Sequence, residues 1–130
     1  MDLDRRSVIK AGALAGLAFA QPALALGRAP RPALFVWDAR FTPSSDVARL
    51  WSTRGTALID ARTEDLGVAW RERIPELLHA NPGGIEGVTL WSDKFICESF
   101  GRERGLGIRF ETQVSEPSRG ATPLLHWRLA

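Results

Sequence analysis

Between residues 33 and 129, short apolar runs alternate with amphipathic stretches, and the spacing predicts strands and helices in turn. Ala33-Leu34-Phe35-Val36-Trp37 is continuously apolar and stops at Asp38, the pattern of a strand covered on both faces. Thr42-Pro43-Ser44-Ser45-Asp46 supplies helix-start chemistry. Val47, Leu50 and Trp51 then recur at i, i+3 and i+4, so a helix runs to about Thr53, and Gly55 stops it. Thr56 to Ile59 reads as a second strand ending in Asp60. Val68 to His79 is helical in pattern but contains Pro75, which lacks a backbone N–H. The pattern therefore predicts a helix to about Arg73, then a short turn with Pro75 in its first position.

Asn81-Pro82-Gly83-Gly84 is a loop. Val88-Thr89-Leu90-Trp91 is predicted as a third strand, with Ser92 capping a helix from Asp93 to about Glu103. Phe95, Ile96, Ser99 and Phe100 hold helical spacing, and Gly105 and Gly107 end that helix. Ile108 to Val114 alternates with a period of two, as a half-exposed edge strand does. Glu116 to Thr122 is rich in Pro, Gly and Ser, and Leu124 to Leu129 is a last strand. Strands alternating with helices predict right-handed crossovers around a parallel sheet. The expected fold is a small three-layer α/β sandwich with a mostly parallel sheet. It is Rossmann-like in the loose sense, with strand order 2-1-3-4-5 and the last strand antiparallel. A ferredoxin-like arrangement is the alternative.

The N-terminal 25 residues follow a different logic. Asp4-Arg5-Arg6-Ser7-Val8-Ile9-Lys10 precedes a weakly apolar run from Ala11 to Ala20, then Pro22 and the triplet Ala23-Leu24-Ala25. A charged region, an apolar region and a small-residue cleavage site in that order make a secretory signal. The segment resembles a bacterial twin-arginine signal peptide, matching it in Arg5, Arg6 and Lys10. Asp4, Val8 and Ile9 depart from that family's usual hydroxyl, Phe and Leu. The resemblance implies export of an already folded protein by the twin-arginine translocase into the periplasm. Pro22 breaks the apolar helix just before Ala23 and Ala25, so cleavage is expected after Ala25; Ala18-Phe19-Ala20 is a second candidate. The apolar run is about half of the ~20 residues that span a bilayer, so no stable membrane span is expected after cleavage. Three parts result: a signal at 1–25, a Pro-containing linker at 26–32 and one α/β domain at 33–130.

Removing residues 1–25 from the 130 leaves 105, one domain's worth and enough for a single core. That portion carries 14 basic and 13 acidic groups, with none of the concentrated basic stripe of a nucleic-acid binder. Cys97 is the lone cysteine. It has no intramolecular disulfide partner, and a buried apolar role or a bond to another protein's thiol are its two readings. His79 and His126 lie far apart in sequence, so a dedicated zinc site is not expected.

One internal echo carries the candidate chemistry. Val36-Trp37-Asp38-Ala39-Arg40 closes the first strand, and Leu58-Ile59-Asp60-Ala61-Arg62 closes the second. The third ends in Leu90-Trp91-Ser92-Asp93. In an open parallel sheet such ends share the rim where ligands bind. The candidate ligand-binding residues are therefore Asp38, Arg40, Asp60, Arg62, Trp91, Ser92 and Asp93. Clustered carboxylates can take a divalent cation or divide into an acid and a base. The arginines offer forks to an anion, and the tryptophans offer stacking faces. Equally, each Asp can cap a turn or neutralise its neighbouring Arg.

The first strand-to-helix turn lacks glycine, so no nucleotide cofactor is expected. There is no Gly-x-Ser-x-Gly and no other recognisable catalytic motif. Trp51, Trp70 and Trp127 fit core positions, yet Trp and Arg also anchor protein interfaces. The expectation is a binding or accessory module serving a larger periplasmic protein. An enzyme using the acidic cluster on an anionic substrate is the alternative, and a degenerate remnant of a larger α/β protein is a third reading.

Overall fold

The computed structural model describes residues 30–114 and 123–130. Arg5, Arg6, Lys10, Ala23 and Ala25, with the whole signal, most of the linker and the Glu116–Thr122 loop, lie outside the described residues. The elements are β1 (Leu34–Trp37), α1 (Thr42–Ser52), β2 (Ala57–Asp60), α2 (Leu66–Glu72), α3 (Ile74–Ala80), β3 (Ile85–Leu90), α4 (Trp91–Arg102), β4 (Ile108–Val114) and β5 (Leu124–Leu129). The strands form one mixed sheet in the order β2-β1-β3-β5-β4. β1 runs parallel to β2 and β3, whereas β5 is antiparallel to both β3 and β4.

The α/β class and the antiparallel last strand are as expected, but the order 2-1-3-4-5 and a mostly parallel sheet are not, since two of the four strand pairings are antiparallel. β5 enters the sheet between β3 and β4, and burial explains why. All six residues of β5 are buried, whereas β4 is exposed at most positions. A strand buried on both faces belongs inside a sheet, and an alternating polar one belongs at its edge. Leu124–Leu129 accordingly pairs along all of Ile85–Leu90.

Helices cover both faces of the sheet. On one face, Leu34, Val36, Ile59, Ile85, Leu125, Trp127 and Leu129 meet Leu66, Ala69, Trp70, Ile74 and Cys97 from α2, α3 and α4. Trp70 stacks on Phe100 there, with ring centroids 5.6 Å apart. On the other face, Phe35, Val88, Val114 and Leu124 meet Val47, Ala48 and Trp51 of α1. Gly87 of β3 lies opposite Trp127 of β5. A Cβ at Gly87 would collide with the Trp127 indole, whose Nε1 donates to Thr89 Oγ1 at 3.0 Å.

Several boundaries move from their expected places. β3 begins three residues early, at Ile85. Trp91 is the first residue of α4 rather than the end of β3, and Leu90 holds the N-cap position without a side-chain bond, so Ser92 is not the cap. Phe41 likewise occupies the N-cap of α1 without a side-chain bond. The turn expected around Pro75 is a full seven-residue helix, α3, with Pro75 in its first turn, where a missing N–H removes no helical bond. Asp65 caps α2 by accepting from the Val68 N–H at 3.0 Å.

Candidate functional site

Because β1, β2 and β3 are parallel, their carboxyl ends open onto one rim, and this rim gathers the sequence-derived candidates. Trp37 is paired with Asp60 in register, so Asp38 and Asp60 leave adjacent strands. Asp38 is fully buried. Its Oδ1 accepts from the Arg40 backbone N–H and Nε, both at 3.0 Å, and its Oδ2 accepts from the Arg40 guanidinium at 2.6 Å. The Arg40 guanidinium also lies over the Phe41 ring, 5.4 Å from its centroid. The Asp38 N–H donates to Ser44 Oγ at 2.8 Å, and that hydroxyl donates to the Val88 carbonyl at 2.7 Å. Ser44 thereby ties the end of β1 to α1 and β3.

The second copy of the echo repeats the backbone part of this pattern. Asp60 Oδ1 accepts from the Arg62 N–H at 2.9 Å. The recurrence of Asp-Ala-Arg is thus turn chemistry, an Asp side chain closing a loop onto the residue two ahead. Only the first copy adds the two-pronged ion pair.

Asp93 stands in the first turn of α4. Burial pushes its carboxyl upward, the charge of Asp38 adds to this, and Arg40 opposes it. Burial also pushes Asp38 upward, but the Arg40 bonds and charge, with Arg62 behind them, outweigh it and hold the carboxyl below its ordinary range. Arg40 in turn is raised chiefly by its hydrogen bonds to Asp38, with Asp93 and Asp60 contributing through their charges. The three carboxylates and the two arginines therefore share one electrostatic neighbourhood. Among the described residues, no three His, Cys, Asp or Glu side chains come together in a group that could hold a metal ion.

Trp91 and Ser92 are exposed at the same rim. Trp91 is 51% exposed and stacks on Phe95, itself 49% exposed, with centroids 5.0 Å apart and planes 22° from parallel. Phe95 was legible only as a helical-face residue, whereas Trp91 was legible as a stacking candidate but misplaced at a strand end. The helix that starts at Trp91 is what places the two one turn apart.

A second polar cluster had no signal in the motifs. Glu86 of β3 is fully buried, with its Oε1 accepting from Arg128 at 3.2 Å and its Oε2 from Trp51 Nε1 at 3.1 Å. His126 Nε2 lies 2.9 Å from the same Oε2. Phe110 meets the His126 ring edge-on at 5.0 Å. Arg128 also donates to the carbonyls of Pro30 and Gly83. The two-residue spacing of His126 and Arg128 on one strand, which puts both on one face, was the available clue; Glu86 fell between the expected loop and the expected start of the third strand. Arg128, Trp51 Nε1 and His126 Nε2 all converge on the Glu86 carboxylate, a structural tie between α1, β3 and β5 that Arg128 extends to the carbonyl of Pro30. No family model, no curated protein and no solved structure matches the chain.

Proposed function

We propose that this chain is an accessory module, exported to the periplasm by the twin-arginine translocase and processed after Ala25, that docks on a larger protein through the carboxyl rim of β1, β2 and β3. The observation that carries the reading is the half-exposed Trp91–Phe95 stack beside the charged groups of that rim. Large aromatic side chains cost apolar hydration when left in water, and Trp with Arg is the pairing that dominates protein interfaces. Arg40 and Arg62, at the ends of β1 and β2, are exposed as well.

The rim supports an enzyme less well. Asp38, the best buried of its carboxylates, has both oxygens engaged by Arg40, which leaves it poorly placed to transfer a proton or hold a cation. Affinity isolation of the full chain from its own periplasm tests the proposal. A stoichiometric partner is expected with the native sequence and is expected to be lost with Trp91→Ala and Phe95→Ala together. Retention of the partner by that double variant would remove the rim from the interface, and recovery of a bare monomer would remove the accessory role.

A further inference from the structure

At the opposite end of the sheet, a cavity of about 850 Å3 opens between the start of β4, the end of β5 and the α3–β3 loop. This volume lies within the range of small-molecule sites. We infer that the cavity binds an amphipathic anion, a carboxylate or phosphate carried on an apolar body, with Arg109 as its charge contact. Pro30, Pro82 and Phe110 supply apolar wall, and Arg31, Arg109 and Arg128 supply the charge. No Asp or Glu side chain lines it among the described residues; Glu86 behind the wall offsets Arg128, and the charges of Arg31 and Arg109 favour a negative ligand.

The three arginines are not equivalent. Arg128 is occupied by Glu86 and two backbone carbonyls, and Arg31 donates to the Gly55 carbonyl at 3.2 Å. Arg109 forms no ion pair among the described residues. Its placement is also unusual for a strand. Consecutive strand residues point to opposite faces, yet Arg109 and Phe110 line the same cavity. The pairing of β4 with β5 shifts register between Ile108 and Phe110. Such an irregularity re-aims a side chain, and here it sets a cation beside an aromatic wall. The inference is independent of the docking rim, which lies at the other end of β1 and β3.

Titration of the full chain with dodecanoate, dodecyl phosphate, dodecyl maltoside and inorganic phosphate tests it. Amide shifts of Asn81, Gly83 and residues 108–110 locate the ligand, and calorimetry gives the affinity. Both anionic amphiphiles are expected to bind at least tenfold more tightly than the neutral maltoside or phosphate alone. Tighter binding of one of the two anions identifies the head group. Arg109→Glu is expected to weaken binding tenfold or more, about 1.4 kcal/mol, and Arg109→Lys to restore most of it. Equal affinity for the maltoside, binding indifferent to Arg109→Glu, or no binding of either anion would each overturn the assignment. Arg109 is exposed on an edge strand, so its variants report on the ligand rather than on folding.

Discussion

At the scale of single residues, Asp38 shows how one side chain serves conformation and charge together. Its carboxyl is held below the ordinary range, so the charged form is favoured by folding. The stabilisation is complete above the ordinary carboxylate value and is lost as pH falls through the lowered one. Asp38→Asn is therefore expected to lower stability at neutral pH by about 1–3 kcal/mol, the worth of hydrogen bonds to a charged group. It is also expected to flatten the acid limb of stability against pH; urea unfolding between pH 2 and 7 measures both. Cys97 is another single-residue case. Burial pushes its thiol up to about 12, Asp93 adds to the shift, and Trp70 pulls the other way. A thiol without thiolate character is inert, so a colorimetric thiol reagent at pH 8 is expected to leave Cys97 unmodified until denaturant is added. Rapid labelling of the native chain would contradict this burial.

At the scale of elements, β3 and β5 carry the polar tie that motifs did not announce. Glu86→Ala would leave the Arg128 guanidinium and the Trp51 N–H facing each other across a vacated acceptor. Breaking a buried ion pair from one side costs about 3–5 kcal/mol, and Glu86→Gln, which keeps an acceptor, is expected to cost less. Equilibrium unfolding of the two variants checks that ranking. Gly87→Ala is expected to destabilise as well, because the Trp127 indole occupies the space a methyl group needs.

Element type was readable from the chain because periodicity reports which face is wet. The β5 run translated into the burial observed, whereas β4, expected to be half-exposed, is exposed at most positions. Element limits were less readable. Ile85-Glu86-Gly87 places a carboxylate and a glycine where a buried strand usually has neither, and only the partners Arg128, Trp51 and Trp127 from distant segments make them fit. Ser92 looked like a cap because cap chemistry is local, yet the helix begins two residues earlier than expected, at Trp91, with no cap side chain at all.

At the scale of the whole molecule, the parallel arrangement of β1, β2 and β3 decided whether Asp38, Asp60 and Asp93 would come near one another, and the charges of all three act on Arg40, although Asp93 stands in the first turn of α4 and not at a strand end. That much of the candidate site was legible, since parallel strands separated by helices must open their carboxyl ends to the same side. The order of the last two strands was not, because a hairpin can lay either member against β3 with the same local pattern. What distinguishes them is how deeply each is covered, a property of the assembled sheet. Described helices span no membrane: none is long and apolar enough to cross one. Replacing Trp91 and Phe95 together is expected to leave the midpoint of thermal unfolding within a few degrees of the native value, since both rings are half in water. A large drop in a calorimetric scan would mean that the pair braces α4 instead of facing a partner.

The position of β5 has a consequence for how the protein comes into being. Among the described residues it is the last strand in sequence, yet it is the seam joining β4 to the rest of the sheet. While residues 124–129 are still inside the ribosome, β3 shows an open side and β4 has no neighbour to hold it. The sheet closes only once Leu124–Leu129 is in place, and a chain lacking that strand would carry two sticky borders in place of a closed middle.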